Sequence, residues 1–318
     1  MKVLVTGGAG FIGSHLIGRL LSEGHEVVSV DNINEYYDPQ LKRDRIQHFS
    51  ESVALYEIDI ANLDELSKVF DTHSFDLIYH IAAQAGVRYS ISHPEVYIRS
   101  NEIGTKNVLE LARVHGAPPV IFASSSSVYG DLTDTPFLEN QDLGKALSVY
   151  AKTKQVGENL CREYADSFDM NITAVRFFTV YGPWGRPDMA LFSFTEKILN
   201  GETIEIYNNG DMKRDFTYID DIVDGLRLVA LKLKSGFNIY NLGRGAPVAL
   251  MSFVSVLEQA LGVKANIVNK PMQPGDMRET YASTKKAEEE LGFKANISIE
   301  EGVQKFVDWY RMYHNKNK

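Results

Sequence analysis

The chain has a single cysteine, Cys161, in 318 residues, which excludes an intramolecular disulfide and any cluster of thiolate metal ligands. Its eight histidines include no pair at the helical spacing of a zinc protease site, and no metal is expected. There is no run of about 18 apolar residues, the length a membrane span needs. Met1 to Thr6 runs straight into a Gly-rich turn, without the apolar core and small-residue cleavage site of a secretory leader. A cytoplasmic location is the expectation. Positive charge is also short: 33 Lys and Arg against 42 Asp and Glu leave a formal charge of −9. Such a chain has no broad attraction for nucleic acid or an anionic membrane surface. An anionic ligand would have to be held by a few placed cations or by backbone dipoles.

What is present is ordinary for a globular protein, 44% hydrophobic and 24% charged, and long enough for two domains or one large α/β unit. Apolar runs at Lys2–Thr6, Glu26–Val30, Val53–Ile58, Leu77–Ile81 and Val120–Ala123 read as strands. Helical periodicity lies between them near 12–23, 63–73 and 95–115. That alternation predicts right-handed crossovers and a doubly wound parallel sheet with helices on both faces. A long helix near 148–168 and a strand at Asn171–Arg176 follow, and after Phe178 the pattern becomes shorter and less regular. The expected division is therefore 1–176 as a nucleotide-binding domain and 177–318 as a smaller, mainly substrate-binding region. A helix near 219–232 and a strand near 237–242 are expected to return to the first sheet.

The first strand leads into Gly7-Gly8-Ala9-Gly10-Phe11-Ile12-Gly13 and then an amphipathic helix. Glycines there let the backbone approach a pyrophosphate, and the helix N-terminus offers free N–H groups and a positive dipole end. Asp31 ends the next strand, 18 residues beyond Gly13, where a carboxylate accepts from ribose hydroxyls and repels a 2′-phosphate. This Rossmann-like arrangement favours NAD over NADP.

Tyr150 and Lys154 stand four apart on one helical face. With 16 Tyr and 19 Lys in the chain such a pair arises by chance, and Tyr281 and Lys285 form a second. Context selects the first, because Ser124-Ser125-Ser126-Ser127 leaves the C-terminal end of the neighbouring strand, where ligands sit in parallel sheets. Hydroxyl, phenol and ammonium beside a dinucleotide suggest hydride chemistry with proton transfer. A phenol of ordinary pKa, about 10, must drop by about three units to act as a base, roughly 4 kcal/mol, and Lys154 is the expected source. His80, beside an apolar strand, reads as packed core; Asp220 and Asp221 read as caps of the following helix.

The glycine loop, the serine cluster with Val128-Tyr129-Gly130, the Tyr150/Lys154 pair and Arg214-Asp215-Phe216 resemble the extended short-chain dehydrogenase/reductase superfamily in its nucleotide-sugar branch. Two longer segments, 82–90 and 176–190, are similar to those of UDP-glucuronate 4-epimerases. The resemblance implies Ser125 and Tyr150 as the proton-handling pair and Lys154 as ribose ligand. It places Asp59 and Ile60 at adenine, and Asn32, Ala82, Gln84 and Ser100 along the cofactor, with Phe178 near the nicotinamide. Ser126, Ser127 and Thr179 would face the sugar's C5 substituent. Arg214 and Arg278 would bind the diphosphate, Arg186 would close over the nucleotide, and Tyr207 would pack near uracil. Arg88 reads equally as a sugar contact or a surface ion pair. The implied reaction is 4-epimerisation of UDP-glucuronate to UDP-galacturonate through a transient 4-keto intermediate, without decarboxylation and with tightly held NAD; the alternatives are a UDP-glucose/UDP-galactose 4-epimerase, then a UDP-glucuronate decarboxylase, and, from another class, a non-catalytic dinucleotide sensor. The helices near 95–115 and 148–168 resemble those that pair across the superfamily's homodimer.

Overall fold

A computed structural model describes residues 1–49, 51–273 and 276–316. Its centre is a seven-stranded sheet in which every pairing is parallel. Across the sheet the strands run Phe237–Leu242, Ile172–Phe177, Val120–Ser125, Leu77–His80, Lys2–Thr6, Glu26–Asp31, Val53–Glu57. The six strands read from the sequence are present, Lys2–Thr6 with the expected bounds and the others with ends shifted by one or two residues, and Phe237–Leu242 returns as the seventh beside Ile172–Phe177.

Alternation along each strand feeds two cores. Val3 and Val5 face Leu16, Ile17 and Leu20 of the Phe11–Ser22 helix together with Ile222 and Leu226 of the Ile219–Leu231 helix. Leu4, between them, belongs to the opposite core with Leu66, Val69, Val108 and Leu109. The chain winds from Lys2–Thr6 out to Val53–Glu57, then restarts at Leu77–His80 on the other side of the first strand. That reversal opens a crevice at the carboxyl ends of Lys2–Thr6 and Leu77–His80, the usual ligand position in such sheets.

Three local expectations change. The helix expected over 95–115 is Pro94–Tyr97, a wide π turn at Ile98–Ile103, and Gly104–Val114. The extra residue in that turn buries Asn101, whose amide accepts from Gln84 N at 2.8 Å and donates to Gln84 O at 3.0 Å and Thr153 Oγ1 at 2.9 Å. A helix at Pro39–Gln47 stands where no apolar periodicity announces one, started by Pro39 and by the Asp38 carboxylate accepting from Gln40 N. Asp220 and Asp221 lie inside the first turn of Ile219–Leu231 and do not cap it. Asp221 instead accepts from Asn296 N and Ile297 N at 3.0 and 3.2 Å, tying a distant segment to the helix.

Beyond Phe177 the chain forms small paired strands, Thr179–Tyr181 with Phe216–Tyr218 and Thr203–Tyr207 with Asn266–Lys270, and ends in the helix Ile299–Lys316. Among the described residues no helix is long and apolar enough to cross a membrane.

One buried ion pair fixes the long helix Val149–Phe168 to the sheet. Arg176 donates to Glu158 through Nε at 2.8 Å and Nη2 at 2.7 Å, both side chains being buried, and the Ser124 hydroxyl donates to the same carboxylate at 2.5 Å. Removing one partner strands a charge in the interior. Arg176→Met is therefore expected to lose about 3–5 kcal/mol in urea unfolding, and Arg176→Met combined with Glu158→Leu to recover most of it.

Candidate active site

The first turn of the fold has no room for side chains. Gly7 adopts φ +76° and donates to Val30 O at 2.7 Å. A Cβ on Gly13 would lie 2.1 Å from the Gly7 carbonyl oxygen, and one on Gly7 2.7 Å from the Ala82 backbone. This packing sets the Phe11–Ser22 helix directly behind the turn. No side chain caps Gly10, so the N–H groups of the first helical turn remain for a ligand.

Gly7, Gly10, Phe11, Ile12, Gly13, Asp31, Asn32, Asp59, Ile60, Ala82, Gln84, Ser100, Ser125, Tyr150, Lys154, Phe178 and Arg186 all line one cleft. It is an open cleft, with about 1290 Å³ of empty space including its solvent side. Asp31 is held by its own neighbourhood, accepting from Ala9 N at 3.0 Å and Ile33 N at 2.9 Å. Burial pushes its carboxyl up, while those N–H groups and the Lys42 and Arg45 charges hold it down. Each oxygen keeps a lone pair for a further donor. Asp59 accepts from Ala61 N at 2.9 Å and Arg99 Nε at 3.0 Å.

At the opposite end, Ser148 caps the long helix through Ala151 N at 3.1 Å and starts it one residue before Tyr150. Burial raises the Tyr150 phenol above its ordinary pKa; its hydrogen bond with Ser125 and the charge of Arg186 act the other way. Lys154, which the sequence reading made the source of that lowering, is not among these influences. Its ammonium is buried and donates to Ala123 O at 2.7 Å, and burial pulls its pKa down to about 8 against the nearby Cys161 and Glu158.

The four serines divide. Ser124 and Ser125 both line the cleft, but the Ser124 hydroxyl is bound to Glu158, whereas Ser125 accepts from Ser127 N at 3.2 Å, opening the turn Ser126–Tyr129. Ser126 and Ser127 do not line the main cleft. Thr179 lines a smaller adjoining cavity with Arg186 and Phe11.

The remaining cations form a separate group. Arg88 lies over the Tyr207 ring at 4.8 Å and pairs with Asp276 at 3.7 Å. Arg214 donates to Lys213 O and Arg278 O at 2.8 and 3.3 Å, and Arg278 pairs with Asp211 at 2.7 Å. Burial lowers the Arg214 pKa, with Asp276 opposing. Tyr281 and Lys285 do not share a helix: Lys285 begins Lys285–Leu291 and pairs outward with Glu289. His80 is buried between Thr6 Oγ1 at 2.8 Å and Thr105 Oγ1 at 2.9 Å, and burial drops its pKa to about 3. It is a packing residue, as expected.

Asn34, Tyr36 and Lys42 line the cleft as well and were not anticipated. Lys42 donates to Asn34 O at 2.8 Å and Asn34 Oδ1 at 2.7 Å, and Tyr36 to Asp188 at 3.0 Å. Their only signal in the sequence is a polar helix start after Asp38-Pro39.

Residues 3–243 match the NAD dependent epimerase/dehydratase family. The chain is 44% identical over its full length to UDP-glucuronate 4-epimerase 1 of Arabidopsis thaliana, covering 78% of that protein. It is similar to the structure of UDP-glucuronic acid 4-epimerase from Bacillus cereus in complex with UDP-glucuronic acid and NAD. There the TM-score is 0.92 at 34% identity, over 98% of this chain and 100% of that one. UDP-glucose 4-epimerase from Thermotoga maritima, with UDP-glucose, gives 0.91 at 30%, over 99% and 100%.

The buried ammonium has a measurable cost. A lysine lowered to about 8 in the fold binds fewer protons there than in the unfolded chain, whose ordinary value is about 10.4. Wild-type stability therefore rises with pH between those values and carries the full penalty below about 8. Lys154→Met, measured without ligand, is expected to be more stable than wild type by about 2–3 kcal/mol at pH 7. In denaturant titrations at stepped pH the gap should close as pH approaches about 10.4.

Proposed function

The chain belongs to the NAD-dependent epimerase/dehydratase family, and from that premise we propose that it interconverts UDP-glucuronate and UDP-galacturonate by inversion at C4, without decarboxylation. The observation that carries the reading is the meeting, in one cleft, of the glycine turn with Asp31 and of Tyr150 with Ser125 and Lys154. The residues fit NAD. The uncapped helix start suits its pyrophosphate, and the two-oxygen acceptor Asp31 suits an unphosphorylated ribose. The chemistry the cofactor supplies when bound is removal and return of the C4 hydrogen as hydride.

Tyr150 takes the proton of the C4 hydroxyl and gives one back after the 4-keto sugar has turned over. Ser125, hydrogen-bonded to that phenol, orients the same hydroxyl. Lys154 stays mostly protonated at neutral pH and holds the nicotinamide-side ribose, so its contribution to Tyr150 comes with the loaded site. Residues 177–318 supply most substrate contacts. Arg214 and Arg278 serve the diphosphate, and Tyr207, under Arg88, serves uracil.

The glucuronate reading rests on the 44% identity over the whole chain with the plant enzyme and on the cavity that Thr179 shares with Arg186. Thr179 and Arg186 are polar members of that largely apolar recess, and we read them as donors for the carboxylate. A 4-keto uronate is a β-keto acid, and it loses CO2 when the C5–carboxylate bond lines up with the ketone π system. Donors that hold the carboxylate out of that alignment preserve the carbon skeleton.

We assign the protein to the cytoplasm and, in solution, to a homodimer formed by the helices near 95–115 and 148–168. Ile98, Ile103, Val114 and Phe168 are exposed apolar residues there.

Product NMR decides the substrate. A mixture of UDP-glucuronate and UDP-galacturonate from either sugar is expected; turnover confined to UDP-glucose and UDP-galactose, or a UDP-pentose product, would overturn the assignment. Tyr150→Phe should retain cofactor on gel filtration yet lose activity by about 10²–10⁴-fold, the range for a missing general acid–base. Released cofactor should be NAD and not NADP.

A further inference from the structure

Arg45 is 2% exposed, and its five described hydrogen bonds all go to uncharged oxygens. Nη1 donates to Ala9 O at 3.1 Å and Tyr37 Oη at 2.6 Å; Nε donates to Trp184 O at 3.0 Å; Nη2 donates to Trp184 O at 2.7 Å and Gly185 O at 3.1 Å. A buried guanidinium without a carboxylate partner is costly, and a packing role would be filled more cheaply by an apolar side chain. Its acceptors explain its presence. Ala9 belongs to the glycine turn; Trp184 and Gly185 immediately precede Arg186, which lines the cleft. Arg45 thus joins the cofactor side of the cleft to the loop carrying its substrate-side cation.

The loop has two further supports. Asp188 takes both Arg186 Nε at 2.9 Å and Nη2 at 2.6 Å, and receives Tyr36 Oη at 3.0 Å. The Trp184 ring packs on Trp309 and Tyr313, each at 5.1 Å, and Tyr313 Oη donates to Asp44 at 2.5 Å, next to Arg45. These act on side chains. Among the described residues only Arg45 grips the loop backbone and the glycine turn together.

We propose that Arg45 is a positioning residue that holds the Trp184–Arg186 backbone at a set distance from the glycine turn, fixing where Arg186 meets the substrate and keeping the cleft closed on the cofactor. It touches neither ligand. Its effect falls chiefly on substrate affinity and cofactor retention, because Tyr150, Ser125 and Lys154 stand on elements it does not contact, and the Arg186 charge, which Asp188 also holds, is the least of the influences on the phenol. The substrate half of the inference rests on the proposed function; the cofactor half does not.

Arg45→Lys keeps the charge and loses the planar fork; Arg45→Met loses both. In the cofactor-loaded enzyme, Arg45→Lys is expected to raise KM for the nucleotide sugar about tenfold while kcat changes less than about threefold, since a small misplacement at a ligand is enough for such a loss. It should also release NAD faster during repeated gel filtration. A lowered melting temperature with wild-type KM and wild-type cofactor retention would overturn the proposal and leave Arg45 a packing residue. If Arg45→Met does not fold, Arg45→Lys still carries the test. If the wild type turns over a different sugar, KM is read on that sugar, and cofactor retention decides independently.

Discussion

The site depends on the absence of three side chains. At the turn after the first strand, Gly7, Gly8 and Gly13 are pressed against backbone and against Ser29 so closely that a Cβ at each would fall within 2.0–2.7 Å of a neighbouring atom. The close fit brings the helix N-terminus up to the sheet edge and lets Ala9 N reach the Asp31 carboxylate. One packing constraint therefore sets both the anion-binding end of the helix and the orientation of the ribose acceptor. The rest of the cleft is measured from it. Ala82 lies against Gly7, Gln84 follows, and Asn101 in the π turn fixes Gln84 from behind while also holding Thr153 of the Tyr150 helix.

A net charge of −9 coexists with a site for two anions because the cations are few and placed, and most are structurally occupied. Arg176 is spent on Glu158, Arg45 on backbone carbonyls, and Lys42 on Asn34. Arg186 is matched by Asp188, while Arg88 and Arg278 are matched by Asp276 and Asp211. Charges that are already paired hold their geometry before a ligand arrives, which lowers the cost of ordering them on binding. The acidic total offers no broad attraction for polyanions and has no bearing on a preorganised pocket.

The sheet, the glycine turn and the Tyr150 helix were legible because each rests on a strong local rule: short apolar runs for buried parallel strands, steric need for glycine, and period 3.6 for a helix packed on one side. Legibility failed where polar groups are buried. The Pro39–Gln47 helix turns Lys42 and Arg45 inward along with Leu41 and Ile46, so its pattern reads as a surface segment. The π turn came from the need to bury Asn101, which no periodicity records. Ser124 and Ser125 both border the cleft, and only the structure shows that the Ser124 hydroxyl is already bound to the buried Glu158. Asp221 looked like a helix cap because its acceptor role is served by residues 75 and 76 positions away.

Sugar choice is a different kind of property. The backbone superposes on a UDP-glucuronic acid epimerase and a UDP-glucose epimerase almost equally, with TM-scores of 0.92 and 0.91. Discrimination between a carboxylate and a hydroxymethyl group must then come from side chains, not from the fold. The reaction itself favours this division. Burial moves the Tyr150 phenol up and the Lys154 ammonium down, so each charge alone is disfavoured in the cleft and proton transfer needs compensating charge. Ser125 and Arg186 supply part of it from the protein. Arg186 also borders the recess of Thr179.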